Sequence, residues 1–248
     1  VGAEHDAEGP DRPDRYDRPG PSAVLDRSEL AVDVLPAAER LLGCVLEADT
    51  PDGVVAVRLV EVEAYRGRDD PASHSFRGRT PRNAVMFGPP GHLYVYFVYG
   101  MHFCANVTCL SDGEPGAVLL RGAEVVTDPG IARLRRPTAR TDADLARGPA
   151  RLASLLGLGR DDNGVDVTDP ASRVRLVAGD PVPSGSVRTG PRVGVAAAAD
   201  LPWRYWVAGS TAVSTYRAGT RAGRRSRSDG GSPDGDPYPD AASRPRRR

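Results

Sequence analysis

Apolar and polar positions divide the chain into short periodic blocks separated by Gly, Pro and Asp. Residues 35–43 (LPAAERLLG) have helical spacing, with Pro36 in the first turn and Gly43 as the stop. Two β-branched blocks follow at 44–48 and 54–65, joined through the turn sequence Pro51-Asp52-Gly53. Blocks 93–99 and 103–108 form an aromatic strand pair around Tyr99-Gly100-Met101-His102, and 117–125 reads as another strand. Gly148-Pro149 opens a second helix running to Leu158, and short strands are expected at 174–178, 192–196 and 205–208. Strands outnumber helices and hairpins pair strands antiparallel. The expected fold class is therefore α+β: a single mixed domain with a curved, mainly antiparallel β-sheet flanked by a few helices. No internal repeat is visible. Residues 1–24 and the Arg-rich 218–248 are polar and rich in Pro, Gly and Asp, so both are expected to be disordered, leaving 25–217 as the folded domain.

Composition adjusts this picture in three ways. The chain of 248 residues carries 33 basic and 33 acidic side chains, so total charge does not point to a polyanionic partner. The balance is uneven: 217–248 holds nine Arg and four Asp, whereas 25–216 holds 21 Arg and 23 acids. Three cysteines (Cys44, Cys104 and Cys109) without a CxxC pair form neither a disulfide framework nor a zinc signature, and read as small buried hydrophobes. No lysine occurs anywhere, which removes the usual Schiff-base nucleophile. No apolar run approaches the ~18 residues of a membrane span and the first residues lack a signal-peptide pattern, so a cytoplasmic location is expected.

Candidate chemistry begins on the strand at 54–65. Strict alternation places Val55, Val57, Leu59, Glu61, Glu63 and Tyr65 on one side. A nearly apolar strand ending in two carboxylates and a tyrosine either enters a pocket or leaves the core at an edge where arginines pair the acids. Taken alone, this strand favours the edge. The polar, basic segment 67–87 that follows is long for a loop in a compact domain, and such loops are functional or disordered. It carries His74 and runs straight on from Glu63 and Tyr65, so it can fold back over them, although a lone histidine is more often a surface residue. Tyr94, Tyr96 and Val98 then share a strand face. Tyr99, beside Gly100 at a hairpin tip, is flat and exposed, the form of an intercalating wedge. Sheet aromatics can stack bases, and they equally pack cross-strand.

In order, these segments are Val62-Glu63-Ala64-Tyr65, His74-Ser75, Arg79-Thr80-Pro81-Arg82-Asn83 with Met86-Phe87, and the run from Leu93 to Met101. Asn106, Leu119-Leu120-Arg121, Gly148-Pro149 and Arg192-Val193-Gly194-Val195 follow. Each motif is weak alone; their order and spacing together are specific. The set closely resembles the alkyladenine (3-methyladenine) DNA glycosylase family, the type without a helix-hairpin-helix, over roughly residues 35–216.

The resemblance implies a base excision repair enzyme that flips alkylated or deaminated purines from duplex DNA. It would hydrolyse the N-glycosidic bond with water and leave an abasic site without lyase activity. It implies Glu63 as the general base and Arg121 as a holder of the attacking water. Tyr65, His74 and Tyr96 would form the base pocket, with Asn106 disfavouring normal guanine. Tyr99 would be the intercalating wedge, and Met101 would contact the neighbouring base stack. The expected partner is double-stranded DNA containing damaged purines, bound by a nucleoid-associated monomer with no cofactor and no membrane. The chain departs from the family at His102, where an aromatic residue is usual, and in a 75–80 loop one residue shorter than in some members. Two other readings stand beside this one. A metal-dependent hydrolase would use Glu63, His74 and His102, whose spacing matches no HExxH-like pattern. A damaged-DNA-binding protein without catalysis would use tyrosines and arginines alone.

Overall fold

Asp33 starts the first helix, α1 (Val34–Leu41), by accepting the Leu35 N–H at 3.1 Å, and Val34, Ala37, Ala38 and Leu41 bury one helical face. Gly43 ends the turn at φ 84°, where a Cβ would lie 2.6 Å from the Asp180 carbonyl oxygen. The chain then enters β1 (Val45–Thr50) and returns as β2 (Gly53–Tyr65), the long strand on which the fold is organised. β3 (Leu93–Val98), β4 (His102–Thr108) and β5 (Ala117–Val125) follow as antiparallel neighbours. Three helices come next: α2 (Pro129–Arg135), α3 (Asp142–Ala146) and α4 (Pro149–Leu156). The last strands are β6 (Val174–Val177), β7 (Val187–Gly190) and β8 (Arg204–Val207). This computed structural model describes residues 23–98 and 100–220. The disorder expected of 1–24 and 218–248 falls almost wholly outside those residues, as does Tyr99.

The eight strands form one sheet with the path β3-β4-β5-β2-β1-β6, and β8 joins β2 to β7. Among the described residues every strand pairing is antiparallel, in keeping with the mainly antiparallel sheet expected from the sequence. β2 has β5 along one side, and β1 followed by β8 along the other. Helices α1, α3 and α4 cover one face, α1 against β2 and α4 across β4 and β5. Val55, Val57, Leu59, Val62, Ala64, Leu93, Val107, Val118 and Leu120 fill the core there. Among the described residues, no helix is long and apolar enough to cross a membrane.

Three sequence expectations are corrected. First, β2 does not alternate strictly. Its register against β5 shifts between Leu59 and Glu61, and again between Glu61 and Val62 where the partner strand skips Arg121. A bulge reverses the face on which later residues lie. Leu59 and Val62 thus both enter the core, while Glu61, Glu63 and Tyr65 turn to the opposite face, away from Val55 and Val57. Second, 192–196 is no strand, and β7 lies earlier, at Val187–Gly190. Arg192 is buried against Asp70, the Val193 N–H is taken by Glu63, and Gly194 turns the chain at φ 73°. Third, α2 and α3 were not expected. Both have side-chain caps, Asp128 accepting the Gly130 N–H and Thr141 accepting the Asp144 N–H.

Candidate active site

The face opposite the core helices carries a lateral row set by strand register. Tyr94 on β3 pairs with Asn106 on β4, Asn106 with Leu119 on β5, Leu119 with Glu63 on β2, and Glu63 with Arg204 on β8. Directly opposed residues share a face, so this row forms a floor. Tyr96, Cys104 and Arg121 extend it, and the 67–87 loop and the 193–195 segment form walls. Pro149 and Ala150, at the start of α4, close one end. The cavity measures about 580 Å³, within the roughly 300–1,000 Å³ of small-molecule sites.

The loop is held by Asn83, which is buried. Its Nδ2 donates to the His74 carbonyl at 2.9 Å and the Gly78 carbonyl at 3.0 Å, while its Oδ1 accepts the Thr80 N–H at 2.6 Å. The loop's beginning is fixed by Asp70, which receives both Nη groups of Arg192 with neither side chain exposed. Arg192 also donates to the Ala64 carbonyl at 2.9 Å and lies 4.6 Å over the Tyr65 ring. Breaking such a buried pair by removing one partner costs about 3–5 kcal/mol.

These restraints bring His74 to the aromatic wall. Its Nδ1 lies 3.0 Å from the Tyr94 hydroxyl, and its ring stands edge-on to Tyr96 with centroids 4.6 Å apart. Tyr94 and Tyr96 stack at 5.4 Å. Burial, assisted by the Arg82 charge, holds the His74 pKa below its ordinary value, so a neutral imidazole faces the cavity near neutral pH. Burial pushes the Tyr94 phenol up to about 12 and the Tyr65 and Tyr96 phenols well above their usual value, so all three remain neutral.

Glu63 is fully buried at the cavity floor. Its Oε1 accepts the Val193 N–H at 2.8 Å, its Oε2 accepts the Tyr65 hydroxyl at 2.9 Å, and Arg121 Nε lies 3.5 Å from Oε1. A carboxylate oxygen has two acceptor directions, so each keeps capacity for a further donor such as water. Glu61, equally buried, lies 3.3 Å from Arg121 Nε and 3.1 Å from Arg204 Nε. Burial raises its pKa, and hydrogen bonds from Ser214 with the Arg121 and Arg204 charges pull the other way.

The structure brings Glu63, Arg121, Tyr65, His74, Tyr96 and Asn106 around one cavity. Met101 is not among its lining residues; it is 69% exposed at the β3–β4 tip. His102 lines the cavity from the exposed start of β4. Among the described residues, no three His, Cys, Asp or Glu side chains converge as metal ligands, including Glu63, His74 and His102. Sequence reasoning missed the Val193 N–H, Ser214 and Arg217 (which also borders the cavity), because backbone donors and distant segments leave no local periodicity.

The sequence is similar to those of known proteins. The sequence profile described as methylpurine-DNA glycosylase (MPG) matches residues 28–211. A protein of Nocardia farcinica is 57% identical over 205 residues, covering 81% of this chain and 95% of the relative. One from Streptomyces avermitilis is 50% identical over 203 residues, with 81% and 95% covered. One from Mycobacterium tuberculosis is 48% identical over 210 residues, with 83% and 100% covered. All three are provisionally named 3-methyladenine DNA glycosylases. The chain belongs to the methylpurine-DNA glycosylase family.

Proposed function

We propose that the protein excises alkylated or deaminated purines from duplex DNA by hydrolysis, leaving an abasic site. The observation that carries this reading is Glu63: a carboxylate with no exposure, oriented from both oxygens, at the floor of an aromatic-walled cavity large enough for a purine nucleotide. Extruding a nucleotide costs a few kcal/mol, less for damaged or mispaired bases. Stacking returns about 1–3 kcal/mol per base, so the aromatic wall offsets the cost for lesions and falls short for sound pairs. A cationic alkylated purine gains further from the ring faces of Tyr65 and Tyr96, and the neutral His74 does not repel it.

Glu63 takes a proton from the water as the water oxygen bonds to C1′. The N-glycosidic bond breaks and its electron pair leaves with the purine. The same carboxylate stabilises positive charge developing on the sugar, and proton transfer to a positioned base contributes about 10²–10⁴-fold in rate. Asn106, its amide fixed by donation from Nδ2 to the Tyr94 carbonyl at 3.0 Å, meets the exocyclic amine of a normal guanine and disfavours it. Tyr99 fills the gap left by the flipped nucleotide and Met101 touches the neighbouring stack. With no lysine in the sequence, a Schiff-base lyase step has no side-chain amine to use.

The test is base release from a duplex carrying one hypoxanthine or ethenoadenine, under single-turnover conditions. Wild type should release the base with or without EDTA, and Glu63→Gln should slow release by about 10²-fold or more while still binding the duplex. A Glu63→Gln enzyme as fast as wild type would falsify the mechanism, and wild type that binds lesions without releasing any base would be a damaged-DNA-binding protein.

A further inference from the structure

Glu61 has no part in the chemistry above, yet it is more heavily engaged than Glu63. Its Oε2 accepts the Ser214 N–H at 2.7 Å, and its Oε1 accepts the Ser214 hydroxyl at 2.9 Å. The same hydroxyl accepts Arg121 Nε–H at 2.9 Å. Arg121 Nε therefore sits where Ser214 Oγ, Glu61 Oε1 and Glu63 Oε1 meet, at 2.9, 3.3 and 3.5 Å. Among the described residues, its Nη1 and Nη2 have no hydrogen-bond partner, and the side chain borders the cavity. A planar guanidinium fixed at Nε has its Nη edge fixed in direction too.

Ser214 lies past the span matched by the family profile, on a segment (208–217) that crosses this side of the sheet. Ser210 Oγ donates to Glu124 at 2.5 Å, Ala212 is buried, and Arg204 Nη2 donates to the Ser214 carbonyl at 3.4 Å. The Arg217 carbonyl accepts the Gly194 N–H at 2.8 Å, one residue beyond the Val193 N–H that holds Glu63. This strap thus grips both supports of the catalytic carboxylate, Arg121 through Ser214 and the 193–194 backbone through Arg217. Glu61 and Glu63 also balance the charges of Arg121 and Arg204, and an unbalanced buried charge would be costly.

We propose that Glu61 and Ser214 are positioning residues that form a latch, by which the 208–217 strap fixes the direction of Arg121 toward the attacking water. The proposal rests on the hydrolytic reading of the site. Removing the Ser214 hydroxyl deletes the bridge while the Ser214 N–H to Glu61 contact stays, so Ser214→Ala retains the fold.

The experiment compares wild type, Ser214→Ala, Ser214→Thr, Arg121→Gln and the Ser214→Ala/Arg121→Gln pair. Single-turnover base release, duplex affinity and hydrogen exchange of the Arg121 Nε–H by ¹⁵N NMR are measured. Ser214→Ala should slow release about tenfold, the size of one lost hydrogen bond, with duplex affinity unchanged and Nε–H exchange accelerated. Ser214→Thr should restore both rate and protection, and Ser214→Ala should add nothing once Arg121 is Gln. A wild-type rate in Ser214→Ala, a fully additive loss in the double variant, or unaltered Nε–H exchange would each overturn the latch. If wild type released no base, the hydrolytic reading would fall, while the exchange measurement would still decide whether Ser214 orders Arg121.

Discussion

Glu61 and Glu63 are two residues apart on one strand, and their surroundings differ. Glu63 faces the cavity, whereas Glu61 faces Ser214, Arg121 and Arg204. Burial raises the Glu61 pKa, so the folded chain retains that proton over a pH window in which the unfolded chain has lost it. In that window the Glu61 contribution to stability is present at low pH and is lost as pH rises through the raised value. Activity should run the opposite way, because a protonated Glu61 loosens its grip on Arg121. The acid limb of the single-turnover pH profile should therefore lie above the ordinary glutamate range. In Glu61→Gln that limb should disappear, leaving a slower rate. Profiles that superimpose after scaling would remove Glu61 from the titration.

At the scale of elements, the 74–80 part of the 67–87 loop is held by Asn83. Asn83 ties His74, Gly78 and Thr80 together, and Asn83→Ala removes three part-buried hydrogen bonds from the loop backbone, each contributing about 0.5–1.5 kcal/mol to stability. With His74 less well held, KM should rise more than kcat falls. Denaturant midpoints and steady-state kinetics check both, and an unchanged KM would place His74 outside base binding. The elements legible in the sequence were those with a strong internal period, β1 to β5, α1 and α4, together with the short strands β6 and β8. Helices α2 and α3 bury little (only Ala132 in α2, Leu145 and Ala146 in α3), so their caps stood without an apolar stripe to support them. The 192–196 segment looked like a strand because its period is local, whereas Asp70 and Glu63, which claim it, are far away in sequence. The bulge in β2 was invisible for the same reason, since it is defined against Arg121 on β5. The chain thus disclosed which residues could serve a site, but their convergence depends on a register slip and a loop clamp with no one-strand signature.

For the whole molecule, the unresolved matter of composition was charge. Residues 25–216 carry 21 Arg against 23 acids, while 221–248 carry eight Arg against four Asp. Binding to a polyanion releases counterions in proportion to the phosphates neutralised. Deleting 221–248 should weaken binding to damaged and undamaged duplex alike and flatten the salt dependence, with the single-turnover rate at saturating protein unchanged. Affinity measured across a salt series decides this, and an unchanged slope would assign the phosphate contacts to the folded domain. Synthesis runs in one direction, and Ser214 follows Glu61 by 153 residues. A ribosome therefore releases β2, β5 and the aromatic wall well before the strap emerges from its exit tunnel. Until then, Arg121 and the 193–194 backbone lack the contacts that Ser214 and Arg217 give them. A chain that ends before Ser214 lacks both contacts, the Ser214 hydroxyl to Arg121 and the Arg217 carbonyl to Gly194, so the last part of the site to be synthesised is the part that completes the support of its earliest strands.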